Sequence, residues 1–325
     1  MARVLTDEAI RDALSMRDVV KTMRLACREH AHGTLYAPPR WSLDVPDGEL
    51  VFTAGVAMGA GTMGFRAYET LGRGPGHEGL VGIWNAESGT FDGCIVGHRV
   101  GLLRTAGING VAADALARAD ATTLGVLGTG PQARQGARAV CAVRDIEQVR
   151  VHSPTRDHRS GEAATSERRG REHRETFADR MPEKLGLDTD AVTAHDDPEP
   201  VVRGADVVCC ATDSETSVLD ADWLDAGAHV HTLGPKRADG HELPTAAFNR
   251  ADVVATDSLD QVAAYEEESG FVVADWAERL VELGPLVVEG VNRDPDAVTV
   301  FCSVGLAGTE VLLGDRYLRK LAREE

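Results

Sequence analysis

The chain has 325 residues, enough for two cores, with 52 acidic against 34 basic residues and a formal net charge of −18. So negative a surface argues against a nucleic-acid partner, and no apolar run reaches the roughly 18 residues of a membrane-spanning helix. The acid excess suits a salt-rich interior, and the opening residues show no charged-then-apolar leader, so the expectation is a halophilic, cytoplasmic protein.

Residues 7–32 have helical spacing, with Asp7 and Glu8 opening one segment and Asp18 the next. Residues 36–100 are short β-type runs broken by Gly, Pro and Asp, which predicts an antiparallel sheet or small barrel. A long helix is predicted over 101–120, with Arg104 in its first turn. From 122 to about 257 strands and helices alternate, the strands being LGVLG, VRVH, ADVVCCAT, AHVHTLG and ADVVATDS. Within VVCC one of Cys209 and Cys210 is expected to face the core. The tail from Thr299 reads as strand, glycine turn and terminal helix. Residues 157–175 are charged and almost free of apolar side chains, which predicts a mobile surface loop. The six cysteines show no C-x-x-C spacing and the histidines near residue 152 no ligand spacing, so no metal is expected.

The most informative stretch is TTLGVLGTGPQARQGA at 122–137, a G-x-G-x-x-A turn between a strand and a helix. Gly128 permits the tight turn, Gly130 lets a pyrophosphate approach the backbone, and Ala133 lets helix and strand pack closely. Pro131 fits a first helical position, and Thr129 and Gln132 complete the candidate cofactor-binding turn at the helix N-terminus. The second strand ends in Ser153, Thr155 and Arg156 with no carboxylate at its tip. Two hydroxyls and a guanidinium accept a 2′-phosphate, so NADP(H) is favoured, with NAD(H) the alternative.

The run LLRTAGINGVAADALARADATTLGVLGTGPQAR at 102–134 resembles the ornithine cyclodeaminase and mu-crystallin family. So do APPR at 37–40, GFRAYET at 64–70, LDAGAHVHTLG at 224–234 and TVFCSVGLAG at 299–308, all in the family's order. The resemblance implies an α/β fold in which a Rossmann dinucleotide-binding domain is inserted in an α+β substrate and dimerisation domain built from both chain ends. On this chain those parts are residues 113–299, and 1–112 with 300–325. It also implies a homodimer through the N-terminal β region.

By the same resemblance Arg40, Arg66 and Arg104 are the substrate-binding positions, and Thr105 touches the cofactor. Guanidiniums converging beside a nicotinamide would hold the carboxylate of a small α-amino, α-imino or α-keto acid. Two positions depart from the family pattern. Arg66 replaces the usual lysine, and an arginine does not exchange a proton near neutral pH. Lys236 stands where cyclodeaminases carry an acid/base aspartate, and Arg237, Asp239, Glu242 and Leu243 look closer to the mu-crystallin branch. Arg66 and Lys236 are therefore the catalytic candidates, with Glu69 a further carboxyl for the pocket. The expected activity is NAD(P)-dependent reduction of an imino or keto acid. A cyclodeaminase with bound NAD and a ligand-holding protein without turnover are the alternatives.

Overall fold

The computed structural model describes residues 2–71, 79–153, 174–270 and 279–323. Its first sheet contains β1 (Arg3–Thr6), β2 (Leu35–Tyr36), β3 (Trp41–Val45), β4 (Gly48–Ala57), β5 (Thr62–Glu69), β6 (Gly79–Asn85) and β7 (Phe91–Val96). The strand order is β1-β7-β6-β5-β4-β2, with β3 also on β4. Strands β2 to β7 pair antiparallel, as the alternating runs predicted, and β1 adds itself in parallel to β7. Side chains alternate across a sheet. Val51, Thr53, Arg66, Val81 and Ile83 are therefore buried on one face, under the C-terminal helix Thr309–Leu321. Phe52, Phe65 and Trp84 take the other face, where Trp41 stacks on Phe52 at 4.3 Å.

The region around Asp7 and Glu8 forms turns, not the helical segment expected. Asp7 instead caps a distant helix, its carboxylate accepting from the backbone N–H of His98 (3.1 Å) and Arg99 (3.0 Å). Helix α1 (Met16–Ala31) opens on Ser15, which with Asp18 at the third position forms a reciprocal capping box. Helix α2 (Arg99–Leu116) is shorter than the predicted 101–120, because the backbone becomes extended at Ala117. It is buried on most sides, from Leu103 to Leu116, and bridges the two halves of the molecule.

The second sheet has eight strands, all parallel: β8 (Thr123–Leu127), β9 (Gln148–His152), β10 (Val192–Ala194), β11 (Val207–Cys210), β12 (His229–Thr232), β15 (Val253–Thr256), β16 (Leu280–Glu282) and β17 (Thr299–Cys302). Strands β13 (Lys236–Arg237) and β14 (Gly240–His241) form a small antiparallel hairpin outside this sheet. The order β10-β9-β8-β11-β12-β17-β15-β16 reverses direction between β8 and β11, the doubly wound arrangement of a Rossmann fold. The dinucleotide turn follows β8, at that switch point, and leads into α3 (Pro131–Cys141).

Three sequence expectations change here. Cys209 and Cys210 are both fully buried, because both faces of a parallel sheet are covered: Cys209 packs with Val126 and Ala133, Cys210 with Val230 and Val300. The 157–175 segment falls mostly outside the described residues, but Arg174 and Glu175 begin the helix Arg174–Arg180, and Arg174 is buried. The expected boundary at residue 300 lies inside β17, whose four residues all pair with β12 and β15.

Candidate active site at the switch point

The turn after β8 has the geometry its sequence implied. Gly128 sits at φ +110°, and a Cβ there would lie 2.4 Å from the Ala211 carbonyl oxygen at the end of β11. Gly130 caps α3 in an extended conformation, and a Cβ there would meet nothing within 4 Å, which leaves an open cradle over the helix N-terminus. Pro131 is in the first turn, Thr129 is buried and Ala133 is fully buried between helix and sheet. The Gln132 Oε1 is buried with no hydrogen-bond partner among the described residues. An open cradle, a free helix N-terminus and an unsatisfied amide oxygen together fit a dinucleotide.

At the tip of β9 Ser153 is buried, and its carbonyl accepts from Arg174 at 3.2 Å. Arg174 also pairs with Asp196. A guanidinium and a carboxylate thus stand beside Ser153 that the sequence reading did not place there. Thr155 and Arg156 lie outside the described residues.

A cavity of about 650 Å³ opens from this turn. It is lined by Gln132 of α3, by Arg104 and Thr105 of α2, by Arg40, and by Lys236 at the start of β13. One space therefore joins the dinucleotide turn to four other predicted site residues, Arg40, Arg104, Thr105 and Lys236. Thr105 Oγ1 donates to the Gly101 carbonyl at 3.0 Å, and the Thr105 carbonyl accepts from Asn109 Nδ2 at 2.8 Å.

Arg66 does not line this cavity. It is 7 % exposed, stacked 3.9 Å over the Tyr68 ring, and reaches the cluster through the buried carboxylate of Glu310. Glu310 Oε1 stands 3.0 Å from Arg104 Nε and 3.6 Å from Arg66 Nη1, close enough for ion pairing though not aligned as hydrogen bonds. Burial lowers the pKa of Arg66 while Glu310 opposes it. At Arg104 burial is the largest influence and acts downward, but Glu310, Tyr68, Asp257 and Tyr265 together outweigh it and the net shift is upward. Two guanidiniums on one carboxylate leave a positive charge to spare.

Arg40 is half-buried, 4.5 Å over the Tyr265 ring, and its backbone N–H donates to Gln261 Oε1 at 2.9 Å. Burial raises Tyr265 to about 12. Lys236 Nζ donates to the Gly234 carbonyl at 2.6 Å. Desolvation lowers its pKa, and the nearby Glu242 carboxylate works against that shift.

Glu242 is fully buried and accepts five hydrogen bonds. They come from the Thr212 N–H (2.9 Å) and hydroxyl (2.7 Å), the Thr232 hydroxyl (2.6 Å), and the N–H groups of Leu233 (2.9 Å) and Gly234 (2.5 Å). One carboxylate thus ties together the loops after β11 and β12, including the residue that holds Lys236. Asp257, also buried, accepts from the N–H of Val304 (2.8 Å) and Gly305 (2.9 Å), and burial raises its pKa.

Glu69 does not face the pocket. It neighbours Tyr68 on β5, so alternation puts it on the opposite sheet face from Arg66, and its carboxylate accepts from the Leu71 N–H. The acid that does line the cavity is Glu49. Glu49, Tyr265, Gln261, Asp257 and Glu310 escaped the sequence reading because each reaches the site from an element remote in sequence. Glu310, five residues beyond Gly305, adjoins a recognised segment but carries no motif of its own.

A model of the ornithine cyclodeaminase/mu-crystallin family matches residues 2–315. The chain belongs to that family. A Delta(1)-pyrroline-2-carboxylate reductase of Bacillus cereus is 28 % identical over 99 % of this chain and 97 % of its own length. In fold, a crystal structure of a probable ornithine cyclodeaminase from Bordetella pertussis superposes with a TM-score of 0.85 at 22 % identity, covering 100 % of this chain and 98 % of that one. Thermococcus litoralis Delta(1)-pyrroline-2-carboxylate reductase, solved with NADH and L-proline, gives 0.82 at 20 % identity, covering 99 % and 98 %.

Proposed function

We propose that the chain is an NAD(P)H-dependent reductase of small α-imino acids, with cyclic imines such as pyrroline carboxylate in its substrate class. The observation that carries this is the cavity joining Gln132 on the dinucleotide helix to Arg40, Arg104 and Lys236. The curated relative at 28 % identity, named a pyrroline-2-carboxylate reductase, supports the same chemistry.

In this reading Gly128, Thr129, Gly130, Pro131, Gln132, Ala133 and Thr105 hold the dinucleotide, and Ser153, Thr155 and Arg156 surround its adenosine ribose. When bound, the nicotinamide supplies the hydride. Arg40 and Arg104 hold the substrate carboxylate, and Arg66 keeps Arg104 in place across Glu310 while adding positive potential. Lys236, its pKa lowered by desolvation, delivers a proton to the imine nitrogen from the end of β12. Holding the acceptor carbon and proton donor in one enclosed site is an orientation effect, the main contribution a protein makes to such a step. Arg174 beside Ser153 supports NADP(H) over NAD(H), while its pairing with Asp196 pulls the other way. The outward face of the first sheet, with Trp41 54 % and Leu43 53 % exposed and the Phe65–Trp84–Phe91 row beside them, is proposed to be covered by a second copy of the chain.

The deciding assay follows NADPH and NADH absorbance while pyrroline and piperideine carboxylates, 2-oxo acids with ammonia, and ornithine are offered. Oxidation with a cyclic imino acid is the expected result. Ammonia released from ornithine with no net change of cofactor would replace this reading with a cyclodeaminase.

A further inference from the structure

A second basic cavity lies on the other side of α2 from the active site. It has a volume of about 170 Å³ and is lined by Arg11, Asp12 and Ser15 before α1, by Arg99 and Leu103 of α2, and by Arg138 of α3. Leu103 lines this cavity while its chain neighbours Arg104 and Thr105 line the 650 Å³ one.

The charges here are unbalanced. Arg11 is paired with Glu8 at 2.5 Å. Arg99 Nη2 donates to the Arg11 carbonyl at 2.7 Å, and Arg138 Nη1 to Gln135 Oε1 at 2.9 Å, but neither guanidinium has a carboxylate within ion-pair distance among the described residues. Arg99 Nε is buried with no partner among the described residues. Tyr317 OH, close enough to feel both arginines, is likewise buried and unpartnered. Burial and the charge of Arg99 both push the Arg138 pKa down, and Asp12 offsets this only in part. Two guanidiniums held near each other, with Asp12 on the cavity wall beyond ion-pair distance among the described residues, are costly in themselves.

We propose that this cavity is a binding site for a small tetrahedral oxyanion of the phosphate or sulfate kind, independent of the reductase site. Arg99 and Arg138 supply the charge-assisted donors, while the Ser15 hydroxyl on the same wall is committed to the Asp18 carboxylate at 2.6 Å. The cavity is large enough for one such ion and too small for a nucleotide. Because its walls come from α1, α2 and α3, the bound ion ties the helix that carries Arg104 to the one that carries the dinucleotide turn.

The test is thermal melting of the whole protein in inorganic phosphate, sulfate or chloride at matched ionic strength, for wild type, Arg99→Gln and Arg138→Gln. A saturable rise of about 3–6 °C with phosphate or sulfate but not chloride, lost in both variants, is expected. A rise that persists unchanged in the variants comes from other anion sites, the dinucleotide turn included, and overturns the proposal. So does no rise in wild type. Should a variant fail to fold, phosphorus NMR of inorganic phosphate with wild-type protein whose dinucleotide turn is filled with saturating NADH decides: broadening of the phosphate line that sulfate reverses supports the site, and an unbroadened line removes it.

Discussion

Arg104 Nε stands 3.0 Å from Glu310 Oε1, a contact between α2 and the C-terminal helix across 206 positions of sequence. It makes the orientation of a substrate-facing guanidinium depend on a residue that does not line the cavity. Replacing Glu310 with Gln leaves Arg66 and Arg104 to repel each other without a counter-charge. Breaking a buried pair from one side costs about 3–5 kcal/mol. The expected outcome is a lower melting temperature and a KM for the imino acid raised about tenfold or more, with kcat less affected, read from steady-state kinetics.

Lys236 gives the pH dependence. Its pKa is lowered from 10.5 by desolvation, and reduction needs the protonated form, so the rate should fall as pH rises through that lowered value. Lys236→Met should cost about 10²–10⁴-fold in kcat and flatten this basic limb.

Glu242→Gln tests how Lys236 is held. The carboxylate opposes the downward shift at Lys236, so removing its charge should move the basic limb to lower pH. A variant that only loosened the loops after β11 and β12 would lose activity at every pH without moving the limb.

Gly128 and Gly130 separate folding from binding. Gly128→Ala meets both a positive φ and the Ala211 carbonyl 2.4 Å away, so a loss of about 1–3 kcal/mol in stability is expected. Gly130→Val faces open space at φ −70° and should melt close to wild type, yet fill the cradle and weaken NADH binding about tenfold or more. Thermal melts and NADH fluorescence titration read the two effects apart.

His231 is fully buried, both ring nitrogens lack partners among the described residues, and burial lowers its pKa to about 4. The unfolded histidine takes up a proton below about 6.5, while the folded one stays neutral until about 4. Stability present above the unfolded value is therefore lost as pH falls through this window. His229, lowered in the same direction, adds to it. His231→Met should flatten the melting temperature against pH between about 6.5 and 4, by up to about 1.4 kcal/mol per pH unit.

What the sequence determined is what local chain chemistry dictates. The strand, glycine turn and helix from Leu124 to Ala137 specify a dinucleotide fold because only particular residue types permit that backbone path. Parallel strands announce themselves as apolar runs, and the R-T-A segment marks Arg104 and Thr105 as helical, although α2 begins at Arg99 and so puts Arg104 in its second turn, not in the first turn expected. Short strands such as Arg3–Thr6 and Leu280–Glu282 were not legible, because four or three residues carry no period of their own.

Tertiary structure decided which charges meet. Arg40, Arg66, Arg104 and Lys236 were all named from the chain, but only folding put Arg66 off the cavity wall and gave it a carboxylate shared with Arg104. Strand alternation, invisible until the register is known, excluded Glu69 and presented Glu49. Glu242 became the tie between two loops because parallel strands from distant segments end side by side. Electrostatic partners are set by distance in space, and no spacing along the chain encodes a contact between residues 104 and 310.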